Sequence, residues 1–377
     1  MHICVIVQSF PTKKTIDYIF VEQICRQFVE NNYKVTVIAP QSITRALFRK
    51  VPVISYKSQI KWGKLFSYTL YRPFYISLGN RFSKLFPNSY NNAVLRTCNK
   101  LNIKPDLFYA HFWAQANSVF DYAKERKIPL FVVVGEESIQ LQNKISSDRK
   151  YNLGEYVKGI ICVSTKSQEE SISAGFLLDI RKSIVIPNAI DQKLFYRQDR
   201  MIMRRKLGFS ADDFIVIFVG QFNNRKGVLR LCEALELLDD DKIKAVFIGR
   251  GTEIPTYRNT LLSKTIMHDE LANYLCASDI FVLPTLNEGC CNAIIEALAC
   301  GLPVVSSNLS FNWDILNDSN SVLVDPNNIE EISCAIKRLK DDKIFRERLS
   351  SGAEKTASKL TIQQRAKRIL NFINSKM

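Results

Sequence analysis

The chain has 377 residues, enough for two or three domains with full cores. Its 46% hydrophobic and 24% charged content is that of a soluble globular protein and excludes a disordered chain, and no apolar run reaches the roughly 18 residues of a spanning helix. The net charge of +15 is concentrated: from Asn31 to Pro105 there are 13 Lys or Arg and no Asp or Glu.

The start, Met1-His-Ile-Cys-Val-Ile-Val7, has no basic leader and reads as a first strand rather than a signal peptide. Apolar spacing through Ile16, Ile19, Phe20, Ile24 and Phe28 predicts a helix over 15–30, and 34–39 is the next strand, so the chain opens with a parallel βαβ unit. The loop 8–14 follows the first strand at its carboxyl end, where ligands bind in such sheets, but holds no glycine and is no dinucleotide fingerprint. Strands are expected at 106–111, ending in His111, at 129–134, before Gly135-Glu-Glu-Ser138, and at 159–164. The ten cysteines lie mostly in apolar runs without a CxxC pair, so buried free thiols in a reducing cytoplasm are expected and a zinc site is not.

Between Ser42 and Tyr90 basic residues, among them Arg49, Lys57, Lys61, Lys64 and Arg72, alternate with aromatics such as Trp62, Phe66 and Tyr71. Arg72-Pro73 interrupts the most apolar part. Basic and aromatic residues together suit an interfacial surface on anionic lipid, so 42–90 is read as a membrane-facing insert. A solvated basic face over a core helix is the plainer alternative. Nucleic acid would accept the same charges, but nothing else in the chain asks for it.

Pro187 and Asn188 break the run 184–191, as a crossover between domains needs. Asn188 is either near the cleft or an ordinary turn residue. A second sheet begins at 214–219, followed by Gly220-Gln-Phe-Asn-Asn-Arg-Lys-Gly227 and a helix through Leu238. Gly220 permits close backbone approach. Arg225 and Lys226 at a helix entrance oppose the dipole, which an anionic ligand would explain. A strand at 245–248 precedes Gly249 and Gly251, and His268, a capping or surface residue, opens a helix ending near Ala277. Few residues separate Gly251 from His268, so an outer helix there is reduced. Strand 280–283, loop 284–289, helix 291–300 with an αL cap at Gly301, and strand 302–306 form a further unit, followed by a strand at 321–326 and helices, the last over 362–372.

Glu288 lies just ahead of the 291–300 helix and Glu296 two turns inside it. They are either a dipole partner and a solvated helix residue, or acceptors for hydroxyl groups beside a bound anion. Glu288-Gly289 and Glu296-Ala297 with Gly301-Leu-Pro-Val-Val resemble the glutamate–seven–glutamate signature of glycosyltransferase family 4. That resemblance implies an α/β GT-B fold, two Rossmann-like domains facing across a cleft, with the last helix crossing back to the first domain. The expected divisions are an acceptor domain over 1–190, a nucleotide-sugar domain over 191–360 and a terminal helix over 361–377.

The resemblance implies a retaining transferase using a nucleotide-diphosphate sugar as substrate, with no metal or other cofactor. The donor site would comprise Gly220, Arg225, Lys226, Gly249, Glu288, Gly289, Cys290, Asn292, Ala293 and Glu296. Arg225 and Lys226 would neutralise the leaving diphosphate, Glu288 would orient the sugar and Glu296 would hold the ribose. No nucleophile is evident, so front-face displacement is expected. The acceptor side would include Pro11, Thr12 and Glu137, with His111 at a strand end where many members place a histidine. The family's His-Gly-x-Asp motif is altered, with Val134 at its histidine, Gly135 kept and Glu137 at its acidic position. The acceptor would be a lipid-linked or other glycan of surface polysaccharide assembly, reached from the cytoplasmic face of the membrane through Arg49, Lys57, Lys61, Trp62, Lys64 and Arg72. A non-catalytic donor-binding partner subunit and a sugar-nucleotide epimerase are the rivals, the former motivated by Val134.

Overall fold

The computed structural model describes residues 1–12, 18–44, 53–77 and 88–377. The chain divides into two compact units, one of Met1–Val163, Ser167–Ile186 and Ala366–Met377, the other of Ser164–Lys166 and Pro187–Arg365.

The first unit contains β1 (His2–Ile6), β2 (Lys34–Ile38), β3 (Gln41–Ser42), β4 (Lys57–Trp62), β5 (Phe66–Tyr71), β6 (Phe74–Tyr75), β7 (Leu107–His111), β8 (Leu130–Val134), β9 (Gly159–Cys162) and β10 (Ser183–Val185). Its sheet runs β10-β9-β8-β7-β1-β2-β5-β4. The ladders are parallel except β4 against β5, an antiparallel hairpin that turns at Gly63. The central strands are continuous apolar runs because helices cover both faces of such a sheet. Those helices are α1 (Ile19–Glu30), α2 (Ser89–Leu101), α3 (Trp113–Glu125), α4 (Ser147–Tyr156) and α5 (Thr165–Ser173). Trp113, fully buried and stacked on Phe176 at 4.5 Å, anchors α3 in this core.

The second unit holds β11 (Phe214–Val219), β12 (Ile243–Ile248), β13 (Thr260–Lys264), β14 (Ile280–Leu283), β15 (Val304–Ser307) and β16 (Ser321–Val324), ordered β13-β12-β11-β14-β15-β16 and wholly parallel. Its helices are α6 (Arg200–Leu207), α7 (Val228–Leu238), α8 (Leu271–Ala277), α9 (Asn292–Ala299), α10 (Ile329–Asp341) and α11 (Lys343–Ala357), with α12 (Ile362–Lys376) beginning here. From Ala366 onward α12 clusters with the first unit, where Phe372 meets Phe131 edge-on at 6.5 Å and Lys376 donates to Arg181 O at 2.9 Å. Asp279 fixes α6 to the sheet, accepting from Arg204 at 2.6 Å and from the Ile215 N–H at 2.7 Å. A buried carboxylate so satisfied is tolerated where an unpaired one would not be.

The segment 251–268, where a reduced outer helix is expected, carries among the described residues no helix and instead the edge strand β13. Within the basic and aromatic stretch, 57–71 form the β4–β5 hairpin, not the core-helix face of the plainer alternative, with Lys57, Gln59 and Lys61 outward and Ile60 and Trp62 inward. Lysines along an outermost strand also discourage pairing with another sheet edge. No helix among the described residues is long and apolar enough to cross a membrane.

Candidate active site

The second unit's sheet sets its candidate site by strand order. β12, β11 and β14 are neighbours, so the loops leaving their carboxyl ends converge. These loops carry Gly249, then Arg225 and Lys226, then Glu288. Direct bonds join two of them: Leu286 N–H donates to Arg225 O at 2.8 Å, Thr285 Oγ1 to the same oxygen at 3.2 Å, and Arg230 Nη2 to Pro284 O at 2.9 Å. Gly227 caps α7 at φ 77°, and a side chain there would meet Pro284 O at 2.5 Å. At Gly249, φ 158°, a Cβ would lie 1.8 Å from Gly220 O. A Cβ on Gly220 would meet Lys226 carbons and Phe218 Cε1 at ordinary distance, so of these two approaching backbones it is Gly249 that must lack one.

Glu288 is 7% exposed and faces the two cations. Its Oε1 accepts from Arg225 Nη1 at 3.1 Å, from Thr285 Oγ1 at 2.9 Å and from Lys226 Nζ. The sequence reading aimed this carboxylate away from the anion position, at sugar hydroxyls; here it is the counter-ion of the residues expected to bind that anion. Burial draws the Lys226 ammonium down, while Cys291 and Glu288 raise it, and the net is upward. The Cys291 thiol is itself pushed up to about 11, first by burial, and is neutral, so Glu288 is the physical source of the rise.

Glu296 lies inside α9, 8% exposed. Its Oε1 is 2.9 Å from His268 Nε2, and His268 stands 5.1 Å from the buried Phe195 ring. The hydrogen bond to Glu296 leads the causes that raise the His268 imidazole, with burial opposing. Nothing in the spacing linked these two residues. Asn188 is turned into the same region, its Nδ2 donating to Asn292 Oδ1 at 2.9 Å and Cys290 O at 3.3 Å. Gly289 is buried, Ala293 half-buried and Asn292 exposed at the start of α9. Burial pushes the Cys290 thiol up to about 12, which leaves it a poor nucleophile. Among the described residues no three His, Cys, Asp or Glu side chains form a metal-ligand group.

At the carboxyl ends of the first unit's strands, His111 is 5% exposed, its ring 4.5 Å from Phe112 and 5.1 Å from Phe20. Phe112, at φ 87°, holds a strained backbone as the residue before α3. Pro11 and Thr12 are half-buried and Glu137 is exposed. The sequence reading passed over Glu136, whose Oε2 is buried without a hydrogen-bond partner among the described residues. Burial, with Glu170 second, pushes the Glu136 carboxyl up to about 8.

Of the basic residues assigned to a membrane surface, Lys57, Lys61 and Lys64 are exposed on the β4–β5 hairpin, beside Leu65 at 89% exposure, and Arg49 lies outside the described residues. Arg72 is a correction: it is 6% exposed and donates to Pro11 O at 3.0 Å, so it braces the loop after β1. Trp62 also turns inward, donating to Glu30 Oε1 at 3.0 Å beneath the Arg26 guanidinium.

Residues 199–356 match the family model described as Glycosyl transferases group 1. The chain is 26% identical over 360 residues, 92% of its length and 91% of the relative's, to TuaC of Bacillus subtilis, named as a candidate teichuronic acid biosynthesis glycosyltransferase. It is 29% identical over 202 residues, 49% of its own length and 52% of the relative's, to the Escherichia coli UDP-Gal:alpha-D-GlcNAc-diphosphoundecaprenol alpha-1,3-galactosyltransferase. Sucrose-phosphate synthase from Thermosynechococcus elongatus superposes with a TM-score of 0.75 over 99% of this chain and 98% of that one, at 17% identity. Anabaena HepE in complex with UDP and glucose superposes at 0.71 over 100% of both chains, at 18% identity. The fold is α/β of GT-B type, residues 199–356 match group 1 of the glycosyl transferases, and the chain is a transferase enzyme.

Proposed function

We propose that the protein is a retaining glycosyltransferase of family 4 that moves a sugar from a nucleotide-diphosphate donor to a hydroxyl of a lipid-linked glycan. The observation that carries this is the convergence of Arg225, Lys226 and Glu288, with Glu296 about one turn into α9. Two cations at a loop edge, preorganised by a buried carboxylate, are suited to a diphosphate whose charge grows as it leaves. The acceptor oxygen attacks the anomeric carbon on the face the diphosphate departs from, the bond from that carbon to phosphate oxygen breaks, and the acceptor proton passes to the departing phosphate. No metal or other cofactor is assigned a part. The named activity of the E. coli relative on a diphosphoundecaprenol-linked sugar supports the acceptor class, and the UDP held by HepE supports the donor class.

The test is mass spectrometry of a diphosphoundecaprenol-linked sugar after incubation with a panel of nucleotide sugars. Growth by one sugar that is lost in Arg225→Ala and Lys226→Ala is expected. Growth that persists in both variants would reject this site. Interconversion of the donor sugar without transfer would identify an epimerase, and nucleotide binding without either change a donor-binding subunit.

The exposed Lys57, Lys61 and Lys64 around Leu65 support peripheral attachment to the anionic cytoplasmic face of a membrane, with nucleic acid no partner. Each basic residue near such a surface contributes about 1 kcal/mol at low ionic strength.

A further inference from the structure

We infer that His268 is a positioning residue for ribose recognition: it holds one oxygen of the Glu296 carboxylate so that the other faces the two ribose hydroxyls of the donor. This rests on the donor site proposed above and adds a residue to it. Glu296 Oε1 lies 2.9 Å from His268 Nε2, whereas Oε2 accepts no hydrogen bond from the described residues. A carboxylate only accepts hydrogen bonds, so Nε2 carries the proton whether the ring is neutral or charged. The bond is therefore kept across the physiological range, and the imidazole acts as a fixed donor.

The ring is held in place. Phe195, 2% exposed, packs against it at 5.1 Å, and the start of α8 at Leu271 follows three residues on. Asp269 on the same loop and Asp191 on the segment before α6 add negative charge around the ring, alongside Glu296 from α9. These carboxylates favour the imidazolium. Glu296 sits on a helix and His268 on a loop 28 residues earlier, so the bond ties loop to helix at the point where a ribose would sit. A carboxylate with one oxygen committed has fewer rotamers to lose when a ligand arrives, and a group held before binding costs less to order.

A residue that merely supports the fold would affect all nucleotides alike. A residue that aims Glu296 at ribose affects only ligands with the hydroxyls it reads. The experiment is calorimetry with UDP and GDP, each beside its 2′-deoxy counterpart, on wild type, His268→Phe and His268→Gln. Wild type is expected to prefer the ribose form about tenfold or more. His268→Phe keeps an aromatic ring but no donor, and its preference is expected to fall to about twofold while affinity for the deoxy form stays near wild type. His268→Gln restores an N–H donor and is expected to recover most of the preference. Equal loss for both sugars in His268→Phe, or undiminished discrimination, would overturn the inference while leaving the donor site standing. Failure of wild type to bind either ribonucleotide would overturn the donor site itself, and with it this role for His268.

Discussion

Replacing Glu288 by Gln should tighten binding of a nucleoside diphosphate while destabilising the free protein. Glu288 Oε1 now serves Arg225, Lys226 and Thr285 together, and both members of the Lys226–Glu288 pair are largely buried. Two unit charges about 5 Å apart at an effective dielectric of about 20 act on each other with roughly 3 kcal/mol. A diphosphate meeting the two cations meets this repulsion as well as their attraction. After exchange of water and partial screening, removing it should favour binding by about 1–2 kcal/mol, close to tenfold in Kd. The amide still accepts one hydrogen bond, so the free protein should lose about 1–3 kcal/mol rather than the full cost of a broken buried pair. Calorimetry with UDP and GDP, paired with urea unfolding of the free protein, measures both terms. Turnover should fall, because Arg225 and Lys226 lose the carboxylate that preorganises them. Weaker nucleotide binding in Glu288→Gln, or unchanged stability, would refute the counter-ion role.

The carboxyl of Glu136, pushed up to about 8, should make stability fall with pH. The unfolded carboxyl releases its proton near pH 4.3 and the folded one only near 8, so the native state holds the extra proton between them and stability declines as pH rises through that window. Glu136→Gln should flatten the decline, recovering about 3–5 kcal/mol at pH 9 relative to pH 5 in urea titrations; an unchanged slope would contradict the burial of that group. Gly249→Ala should unfold the loop after β12, since its Cβ would sit 1.8 Å from Gly220 O, and loss of several degrees in Tm is the expected readout. Reversing the charge at Lys57, Lys61 and Lys64 should abolish binding to anionic vesicles while sparing nucleotide affinity, and vesicle binding that survives the change would assign this hairpin another use. His111→Asn should retain more than a few per cent of turnover; a loss of about 10²–10⁴-fold would restore a general base at that strand end.

Strands β11 and β14 of the second unit were legible because they are buried and read as unbroken apolar runs, as at 214–219, where strand and expectation coincide. The Gly301 cap was legible for a related reason: at φ 77° the position favours glycine, and Pro303 bars continuation. The β4–β5 hairpin also had a signal, the period-two alternation of Lys57, Gln59 and Lys61 against Ile60 and Trp62, but the density of charge and aromatic rings drew attention to a surface instead. Arg72 was misassigned because a basic residue beside Pro73 looks exposed, while its guanidinium in fact reaches a carbonyl 61 residues away. The same limit applies within the site. Residue type placed Glu288 and Glu296 near an anion, but which oxygen meets Lys226 or His268 depends on contacts across 62 and 28 residues, for which chain spacing carries no information.

The central claim is that the second unit holds a nucleoside diphosphate between Arg225, Lys226 and Glu296. Calorimetry of UDP and GDP binding to wild type, to the double variant Arg225→Ala and Lys226→Ala, and to Glu296→Gln tests it most directly. Each charge-assisted bond contributes about 1.5–3 kcal/mol, so wild type should bind one of the two and the double variant should lose at least tenfold. Glu296→Gln should lose affinity for the ribonucleotide in particular. Equal affinity in all three proteins would place the nucleotide elsewhere and contradict the account.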